Sequence, residues 1–340
     1  MTGAELVAFL LGRGVLEPVD VVDRGVRVVD RRRDRFLLRE LSVAGEARLI
    51  VKMPLGAAAR PYLMTEIAAL EYLQRHPKLA TMAPQCVASD ASLGVLVMQH
   101  VAGTPMLAAM DRDRDAESVS LGRLAVLLGA LHRESRNGGA RVPGHVPWVF
   151  QSLGKAGGWR PPALAAVWPL VRDRARLGGA CREACRIWAP VCLVHGDVKW
   201  EHCLMERRAD GEVQLRLIDW ELAAMGDPAW DVAGAVAEVI LSMAPADGQG
   251  DWEASSCNAA ALPTARRFVA TYLLANRSSG SRKGFARRTS LFTGLRLFQA
   301  SLELATAAGS ASQVEGLVRQ CEGLLRELDV FADSLQASGD

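Results

Sequence analysis

The hydrophobic positions of the first hundred residues have the pattern of a small sheet with little helix. Residues 19–29 are rich in β-branched side chains around Asp-Arg-Gly, which predicts two strands and a turn. Apolar runs of strand length follow at residues 36–38, 48–52 and 95–98. Apolar side chains recur at helical spacing over residues 3–12 and 62–73. The pattern therefore predicts a β-rich unit that contains an internal helix.

Beyond residue 103 the apolar positions change to a mainly helical spacing. Residues 117–133 and 162–188 predict helices, and most of the last hundred residues have the same character. Two short apolar strands interrupt this pattern, at residues 191–194 and 215–218. Each strand leads directly into acidic side chains, and we expect a hairpin to join the two strands.

The composition is that of a globular protein of about two domains. The 340 residues include 40 basic and 38 acidic side chains, which give a net charge of +2, and half of them are hydrophobic. This balance excludes wholesale disorder and does not favour nucleic acid as a partner. Because no long uncharged apolar run and no basic leader are present, we expect neither a membrane span nor a signal peptide. The seven cysteines form no Cys-x-x-Cys pair, which favours reduced thiols in a cytoplasmic protein.

The residues best suited to chemistry follow the two short strands. The first strand leads into HGDVKWEHCL (195–204) and the second into IDWE (218–221). Carboxylates at the ends of buried strands are costly unless a cation or a protic group pairs with them. Phosphoryl transfer needs a carboxylate that holds Mg²⁺, a carboxylate that accepts the hydroxyl proton, and a cation beside the moving phosphoryl group. Asp219, Asp197 and Lys199 are the residue types for these three roles.

These segments resemble the aminoglycoside phosphotransferase/choline kinase family, a branch of the protein-kinase-like fold. The resemblance implies an α+β fold with two lobes and ATP bound between them. The small β-rich lobe is expected over residues 1–102, the larger helical lobe over 103–340, and the hinge at about 98–103. The activity implied is ATP-dependent transfer of the γ-phosphoryl group to a hydroxyl.

The resemblance also assigns roles to individual residues in the two segments. It implies that Asp197 is the catalytic aspartate and that Asp219 holds the metal. Lys199 lies where many relatives carry a cation that faces the γ-phosphate. The GDPAWD turn (226–231) resembles the GDPxxD turn of the family, with Asp227 as a helix N-cap and Asp231 as a brace for the catalytic loop.

Upstream residues match the nucleotide-binding part of the same pattern. Lys52 ends an apolar strand, as the kinase-like strand lysine does, and Glu66 lies in a helix that matches REAxxL. An ion pair between them would hold the lysine on the α- and β-phosphates, with Glu71 as the competing partner. The hinge segment is expected to read the adenine edge through backbone groups of Met98, Gln99 and Val101.

Two positions depart from the family pattern. His202 replaces the Asn expected five residues after the catalytic aspartate, and an imidazole nitrogen is a poor Mg²⁺ ligand. This departure leaves three outcomes open: a weakened second metal site, a preference for Mn²⁺, or a site that binds nucleotide without turnover. No glycine-rich phosphate loop is visible. Four arginines stand in its place: Arg31, Arg32, Arg33 and Arg35. They indicate a phosphate clamp, a binding site for an acidic peptide, or a solvated hairpin tip.

The sequence leaves the acceptor open between three interpretations. The first is a small-molecule hydroxyl, as on an aminoglycoside. The second is a Ser or Thr of a peptide in a lanthipeptide-like pathway, which the basic residues around Arg287 and Arg288 mildly favour. The third is a pseudokinase that binds nucleotide and serves as a scaffold for a partner protein. A scaffold has no need to retain all four candidate residues, and this argues against the third interpretation: Lys52, Asp197, Lys199 and Asp219.

Overall fold

The strands and helices separate into a β-rich part and a helical part, as the hydrophobic pattern predicts. The structure, a computed structural model, describes residues 1–32, 35–110, 114–136, 142–153, 162–172, 174–207, 212–243, 254–277, 281–307 and 309–336. The chain divides into two compact units. The first is built mainly from Met1–Met106 and His202–Ala223, and the second mainly from Leu107–Gly138, Pro143–Glu201 and Ala224–Asp340. The predicted α+β fold class is confirmed.

The regular elements have the following bounds. The strands are β1 Val26–Arg32, β2 Phe36–Val43, β3 Glu46–Pro54, β4 Cys86–Asp90, β5 Val95–Gln99, β6 Thr104–Pro105, β7 Cys192–Val194, β8 Cys203–Arg207, β9 Val213–Leu217 and β10 Ala224–Gly226. The helices are α1 Gly3–Gly12, α2 Arg60–Arg75, α3 Met106–Met110, α4 Arg114–Glu134, α5 Trp148–Ser152, α6 Pro162–Val171, α7 Ala175–Ile187, α8 Pro228–Ser242, α9 Ala254–Asn276, α10 Arg282–Thr306, α11 Ala311–Arg326 and α12 Leu328–Gln336. Among the described residues, none of these helices is both long and apolar enough to cross a membrane.

The first unit is organised around an antiparallel sheet in the order β1-β2-β3-β5-β4. Leu6 and Leu10 of α1 pack with buried strand residues such as Val51 and Val97 in one apolar cluster. Because side chains alternate along a strand, Lys52 points to the opposite face from Val51. On that face Lys52 meets α2, which carries Glu66. The alternation of β3 thus buries one strand neighbour in the core and aims the next at the polar site.

A smaller sheet in the same unit carries the IDWE segment. Its strands lie in the order β6-β8-β9, and β8 pairs antiparallel with β9 so that Cys203 faces Leu217. The amide of Ile218 donates to the carbonyl of His202 at 2.9 Å, which continues the ladder beyond the paired strands. The hairpin therefore fixes where the chain leaves the sheet and where Asp219 begins the following turn.

The second unit is helical and encloses α10 in its core. Residues of α10 from Phe285 to Leu302 are largely buried against neighbouring helices. An aromatic cluster forms part of this core, in which the Phe150 ring stacks on Phe292 at 5.3 Å between centroids and meets Trp230 edge-on at 5.2 Å. The short strands β7 and β10 pair antiparallel within this unit. Strand β7 is buried along its length, and the HGD segment begins directly after it at His195.

The elements differ from the sequence predictions in three places. Residues 19–29 contain a π-helical turn, Asp20–Arg24, before β1 begins at Val26. The buried Asp20 carboxylate accepts from the Glu17 amide and from Arg24 at 3.0 Å each, and this local hydrogen bonding overrides the strand propensity of the valines. The predicted helix over 162–188 is two helices, α6 and α7.

The third difference concerns the two short strands that were expected to form one hairpin. Instead, β7 pairs with β10 and β9 pairs with β8, so the strands belong to different sheets. The observed hairpin joins β8 and β9, which are the nearest strands along the chain. Proximity in sequence thus decides the partner of β9, and the apolar content of the strands does not.

Candidate active site

Lys52 lies at the centre of a carboxylate cluster in the first unit. Its Nζ is 2.7 Å from Glu66 Oε2, 2.6 Å from Asp219 Oδ1 and 2.8 Å from Glu221 Oε2. Lys52 is only 5% exposed and Glu66 only 1%. The predicted ion pair between Lys52 and Glu66 is therefore present, and one ammonium group joins a strand, a helix and the IDWE turn.

Glu71, the competing partner, lies elsewhere. It forms an exposed ion pair with Arg75 one turn later on α2, at 2.9 Å. The choice of Glu66 follows from helical geometry, because residues five positions apart on a helix face different directions. Glu66 is on the buried face with Leu63 and Ile67, where it meets the strand lysine.

The electrostatics of the cluster depend on mutual compensation. Burial opposes the charged form of Lys52, but the three carboxylates outweigh it and hold the lysine pKa above its usual range. Burial raises the pKa of Glu66, and Lys52 acts in the opposite direction. The pKa of Glu221 is raised for the same reason, with Lys52 and Arg35 opposing. The ammonium is therefore what allows three acidic groups to share this small volume.

Asp219 adopts a strained backbone conformation at this position. Its φ of 65° and ψ of 62° place it in the left-handed region, which side-chain-bearing residues seldom occupy. The next residue, Trp220, is fully buried, and its amide donates to Glu66 Oε1 at 3.2 Å while its indole N–H donates to the Leu217 carbonyl at 2.8 Å. Such strain persists only where the surroundings over-determine it, and it marks functional turns. Trp220 is therefore a buried anchor that fixes the position of Asp219.

The HGD segment of the second unit is held by Asp231. The Asp231 carboxylate accepts from the amides of His195 at 2.7 Å and Gly196 at 2.9 Å, and His132 Nε2 donates to it at 3.1 Å. Burial would raise the pKa of Asp231, but these hydrogen bonds outweigh it and hold the pKa below its ordinary value. The bracing role predicted for Asp231 is present in these contacts. His132 is fully buried, and its other ring nitrogen, Nδ1, lies 3.0 Å from the Tyr272 hydroxyl.

The start of α8 fixes Asp231 in turn. Asp227 caps this helix by accepting from the Ala229 amide at 3.0 Å, and Pro228 is the first helical residue, as predicted. Asp227 also forms an ion pair with Arg288, whose Nε lies 2.8 Å from Asp227 Oδ2. The GDPAWD turn is therefore a structural clamp, because its two aspartates hold a helix start and the preceding loop.

Asp197 and Lys199 lie together with one basic and one acidic residue of α10, Arg296 and Glu303. Arg296 Nη1 and Nη2 both donate to Asp197 Oδ1 at 3.1 Å, and Lys199 Nζ is 3.1 Å from Asp197 Oδ2. Lys199 is also 3.0 Å from Glu303 Oε2. Burial disfavours the charged lysine, but Asp197 and Glu303 outweigh it and raise the pKa of Lys199. This loop thus presents a carboxylate and an ammonium in fixed positions.

Sequence reasoning missed Arg296 and Glu303. Arg296 stands in LFTGLRLFQ, an apolar run in which a buried charge requires a partner. That interruption was the available signal, but it identifies neither the partner nor its distance along the chain. Sequence reasoning also missed the contact of Glu221, whose carboxylate Oε2 lies 2.8 Å from Lys52 Nζ. Its proximity to Asp219 in sequence gave no indication of that contact.

His202 lies beside Asp219 in the first unit. Its Nε2 is 3.7 Å from Asp219 Oδ2, so the residue that replaces Asn is within reach of the IDWE carboxylate. The chemistry of the oxygen donors fits a hard divalent cation, because ligand atoms of Glu66, Asp219 and Glu221 lie within 4.8 Å of one another. The ammonium of Lys52 already contacts the same three carboxylates. A divalent cation bound by them would take over part of the charge compensation that Lys52 provides.

The expected hinge residues follow β5. The amide of Gln99 donates to the Gln85 carbonyl at 2.8 Å, and Met98 pairs with Ile50 in the sheet. The Val101 carbonyl accepts from the Gly103 amide at 2.9 Å. Within the described parts of the chain, no hydrogen bond of the Val101 amide is present. Of the three backbone segments assigned to adenine, Val101 therefore offers the donor and Gln99 does not.

The arginines in place of a glycine-rich loop have separate environments. Arg31 pairs with Glu40 at 3.3 Å, while Arg35 pairs with Glu221 Oε1 at 3.3 Å and stacks over the Tyr62 ring at 4.4 Å. Arg33 and the side chain of Arg32 lie outside the described residues. Of the described pair, only Arg35 reaches the carboxylate cluster.

Comparison with known proteins identifies similar sequences and folds. The model of the phosphotransferase enzyme family matches residues 29–270. No curated protein is similar enough in sequence to match. Among solved structures, the chain is similar to an ethanolamine kinase from Plasmodium vivax, with 13% identity, a TM-score of 0.59 and coverage of 96% of this chain and 91% of that one.

Two further solved structures are similar to the chain over most of its length. The GDP complex of an aminoglycoside 2'-phosphotransferase-IIIa is 17% identical, with a TM-score of 0.56 and coverage of 97% of this chain and 99% of that one. The choline kinase LicA from Streptococcus pneumoniae is 17% identical, with a TM-score of 0.53 and coverage of 92% and 98%. At these identities the structures show a shared fold.

Proposed function

Because the chain belongs to the phosphotransferase enzyme family, we propose that it transfers the γ-phosphoryl group of ATP to a hydroxyl of a small molecule. The observation that carries this proposal is the pairing of Lys52 with Glu66 and Asp219, together with Asp197 and Lys199 held by a braced loop. These are the residue types that phosphoryl transfer uses for positioning and charge stabilisation. Each of them has a defined contact in its own unit.

The first unit is assigned the nucleotide and its metal. Asp219 and Glu221 supply hard carboxylate oxygens, which suit Mg²⁺ or Mn²⁺, and the bound cation would neutralise phosphate charge. Lys52 would pair with phosphate oxygens while Glu66 holds it in place. The Val101 amide is the donor proposed for the adenine edge.

The second unit is assigned the hydroxyl. Asp197 orients the hydroxyl and accepts its proton as the O–P bond forms. Lys199, 3.1 Å from Asp197, supplies positive charge beside the phosphoryl group as it moves to the acceptor oxygen. The hydrogen bonds from His195 and Gly196 to Asp231 keep the loop in one conformation. Positioning of this kind contributes to the rate because the reacting groups need no further ordering.

A small-molecule acceptor is favoured over a peptide. The three similar structures named above are an ethanolamine kinase, a choline kinase and an aminoglycoside phosphotransferase, and the name of each specifies a small-molecule acceptor. Two of the basic residues that suggested an acidic peptide partner form ion pairs within the chain, since Arg287 pairs with Glu183 at 2.6 Å and Arg288 with Asp227 at 2.8 Å. The scaffold interpretation is disfavoured because Lys52, Asp197 and Asp219 are each held in place. We therefore expect an amine-bearing alcohol as the first class of acceptor to screen.

Asp219→Asn should remove metal-dependent nucleotide binding. The substitution keeps the side-chain shape but removes the negative charge that the cation needs, so Mg²⁺-ATP affinity should fall by about 10–100-fold. Calorimetric titration of ATP with and without Mg²⁺ measures the loss. Asp329→Asn, an exposed aspartate on α12, is the matched control. Equal metal-dependent affinity in Asp219→Asn and wild type would contradict the assignment.

His202→Asn should change the metal preference of the site. Imidazole is a poor ligand for Mg²⁺, whereas an amide oxygen beside Asp219 is a hard donor. We expect the ratio of Mg²⁺-ATP to Mn²⁺-ATP affinity to rise by about tenfold in the variant. Parallel titrations with the two metals give the ratio. An unchanged ratio would mean that His202 does not contact the metal and that Glu221 and Asp219 alone determine the preference.

A further inference from the structure

We propose that helix α10 is part of the catalytic apparatus, with Arg296, Gln299 and Glu303 as positioning residues for Asp197 and Lys199. This inference rests on the proposed function, since it adds residues to the same reaction. The three residues lie far from the HGD segment along the chain and outside the motifs that carry the family resemblance. Their contacts with that segment are what single them out.

The five residues form a closed ring of polar contacts. Arg296 donates to Asp197 Oδ1 from both Nη atoms at 3.1 Å, and Asp197 Oδ2 is 3.1 Å from Lys199 Nζ. Lys199 is 3.0 Å from Glu303 Oε2, and Glu303 Oε1 accepts from Gln299 Nε2 at 2.8 Å. Arg296 Nη1 closes the ring on Gln299 Oε1 at 3.4 Å. Each side-chain position in the ring is therefore determined by two neighbours.

Helical periodicity explains why α10 can supply three members. Residues 296, 299 and 303 are three and seven positions apart, so they share one face of the helix. This helix is buried along most of its length, and groups on a rigid buried element hold their positions better than groups on a loop. The helix therefore provides a fixed template against which the catalytic loop is set.

Arg296 is itself fixed from several directions. Besides Asp197, it donates to the carbonyls of Val198 at 3.1 Å and Gly196 at 3.5 Å, and its guanidinium lies 5.1 Å from the Trp230 ring centre. The side chain is only 5% exposed. A planar guanidinium can donate to several acceptors at once, which an ammonium cannot reproduce in the same geometry. Arg296 thus sets both the carboxylate of Asp197 and the backbone on either side of it.

Glu303 has the complementary role toward Lys199. It is the most exposed member of the contacts that involve this lysine, at 39% of its side chain, compared with 11% for Asp197. With carboxylates on two sides, the ammonium is held between Asp197 and Glu303. Loss of Glu303 should therefore leave Lys199 charged but less well placed for a phosphoryl group.

The test compares conservative variants of two ring residues with the same substitutions at ion pairs outside the ring. Arg296→Lys keeps the charge and removes the fork, and Glu303→Gln keeps the shape and removes the charge. Arg287→Lys on α10 and Glu315→Gln on α11 are the matched controls, because both lie in exposed ion pairs. Since the acceptor is unidentified, the assay is release of ADP from Mg²⁺-ATP with water as the acceptor.

We expect Arg296→Lys to lower kcat by about 10–100-fold, and Glu303→Gln by less, with unchanged Kd for ATP. Added guanidinium ion should restore part of the turnover of Arg296→Ala, which a purely structural role would not predict. A second measurement uses the protein without nucleotide. The double variant Arg296→Lys/Asp197→Asn should lose less Tm than the two single variants lose together, because the two residues contact each other.

The outcomes separate the two levels of the proposal. Wild-type kcat in Arg296→Lys and Glu303→Gln, or strictly additive losses of Tm, would overturn the role of α10 and leave the proposed function standing. Absence of ATP binding and turnover in the wild-type protein would overturn the proposed function and this inference together. Should Arg296→Ala not fold, the lysine variant and the Tm cycle still decide the question.

Discussion

Asp197→Asn is expected to slow phosphoryl transfer by orders of magnitude while the protein still binds ATP. The substitution retains the shape of the side chain and one oxygen for Arg296, but it removes the carboxylate that accepts the hydroxyl proton. Proton transfer by a placed side chain contributes about 10²–10⁴-fold to a rate, and we expect a fall in kcat of that size. Turnover of ATP at saturating nucleotide, measured with calorimetric Kd on the same samples, separates the loss of chemistry from the loss of binding.

The control for this prediction must exclude an effect through folding. Asp197 is buried and neutralises part of two cations, so a change in Tm is expected as well. Asp231→Asn is not a suitable control because it holds the same loop. Asp329→Asn is suitable because that side chain is 82% exposed. If Asp197→Asn turns over ATP as fast as Asp329→Asn does, Asp197 does not take part in the reaction.

Lys52→Met is expected to weaken the first unit and to remove productive nucleotide binding. The ammonium compensates Glu66, Asp219 and Glu221, and its removal leaves three acidic groups close together, one of them fully buried. Removal of one partner from a buried ion pair costs about 3–5 kcal/mol of unfolding free energy. Denaturant unfolding monitors the stability, and titration of Mg²⁺-ATP monitors the binding. The exposed Lys78→Met is the matched control.

The stability of Lys52→Met should also depend on pH in a defined direction. Burial raises the pKa of Glu66 in the wild-type protein and Lys52 opposes that rise, so the variant should hold the Glu66 proton to still higher pH. A folded state that binds the extra proton is most stable below the ordinary Glu pKa of about 4.3 and loses that stability as the pH rises. The difference from wild type should therefore grow from acid to neutral pH. Adding Glu66→Gln should reduce this growth, and a pH-independent difference in the single variant would contradict the compensation.

Much of the candidate site was predictable because the proposed chemistry requires particular residue types at short sequence distances. HGDVK and IDWE each fall within a few residues, and a strand exit that carries a carboxylate is visible without any tertiary information. Prediction of the Lys52–Glu66 pair needed a further observation. Lys52 is a polar residue in the apolar strand β3, and Glu66 is a polar residue on the apolar face of α2. Asp227 and Pro228 announced the start of α8 by capping chemistry that is local to the chain.

The remainder depended on pairing between distant segments. Sequence alone did not show that β7 and β9 belong to different sheets, because apolar strands of equal length are compatible with several partners. It also did not show that Glu221 would join Lys52, since the rotation of the turn after β9 decides which side chain faces the lysine. The π-helical turn at Asp20 was missed because a buried aspartate outweighed the strand propensity of its neighbours.

The sequence by itself determined the fold class and singled out Lys52, Asp197 and Asp219 as candidate site residues, because periodicity and local motifs act over a few residues. Only the tertiary structure decided that Arg296 and Glu303 surround Asp197 and Lys199. A charged residue in an apolar run indicates that it has a partner, but any of many acidic residues in the chain could be that partner. Packing of α10 against the catalytic loop makes the selection, since it alone brings residues about one hundred positions apart within hydrogen-bonding distance.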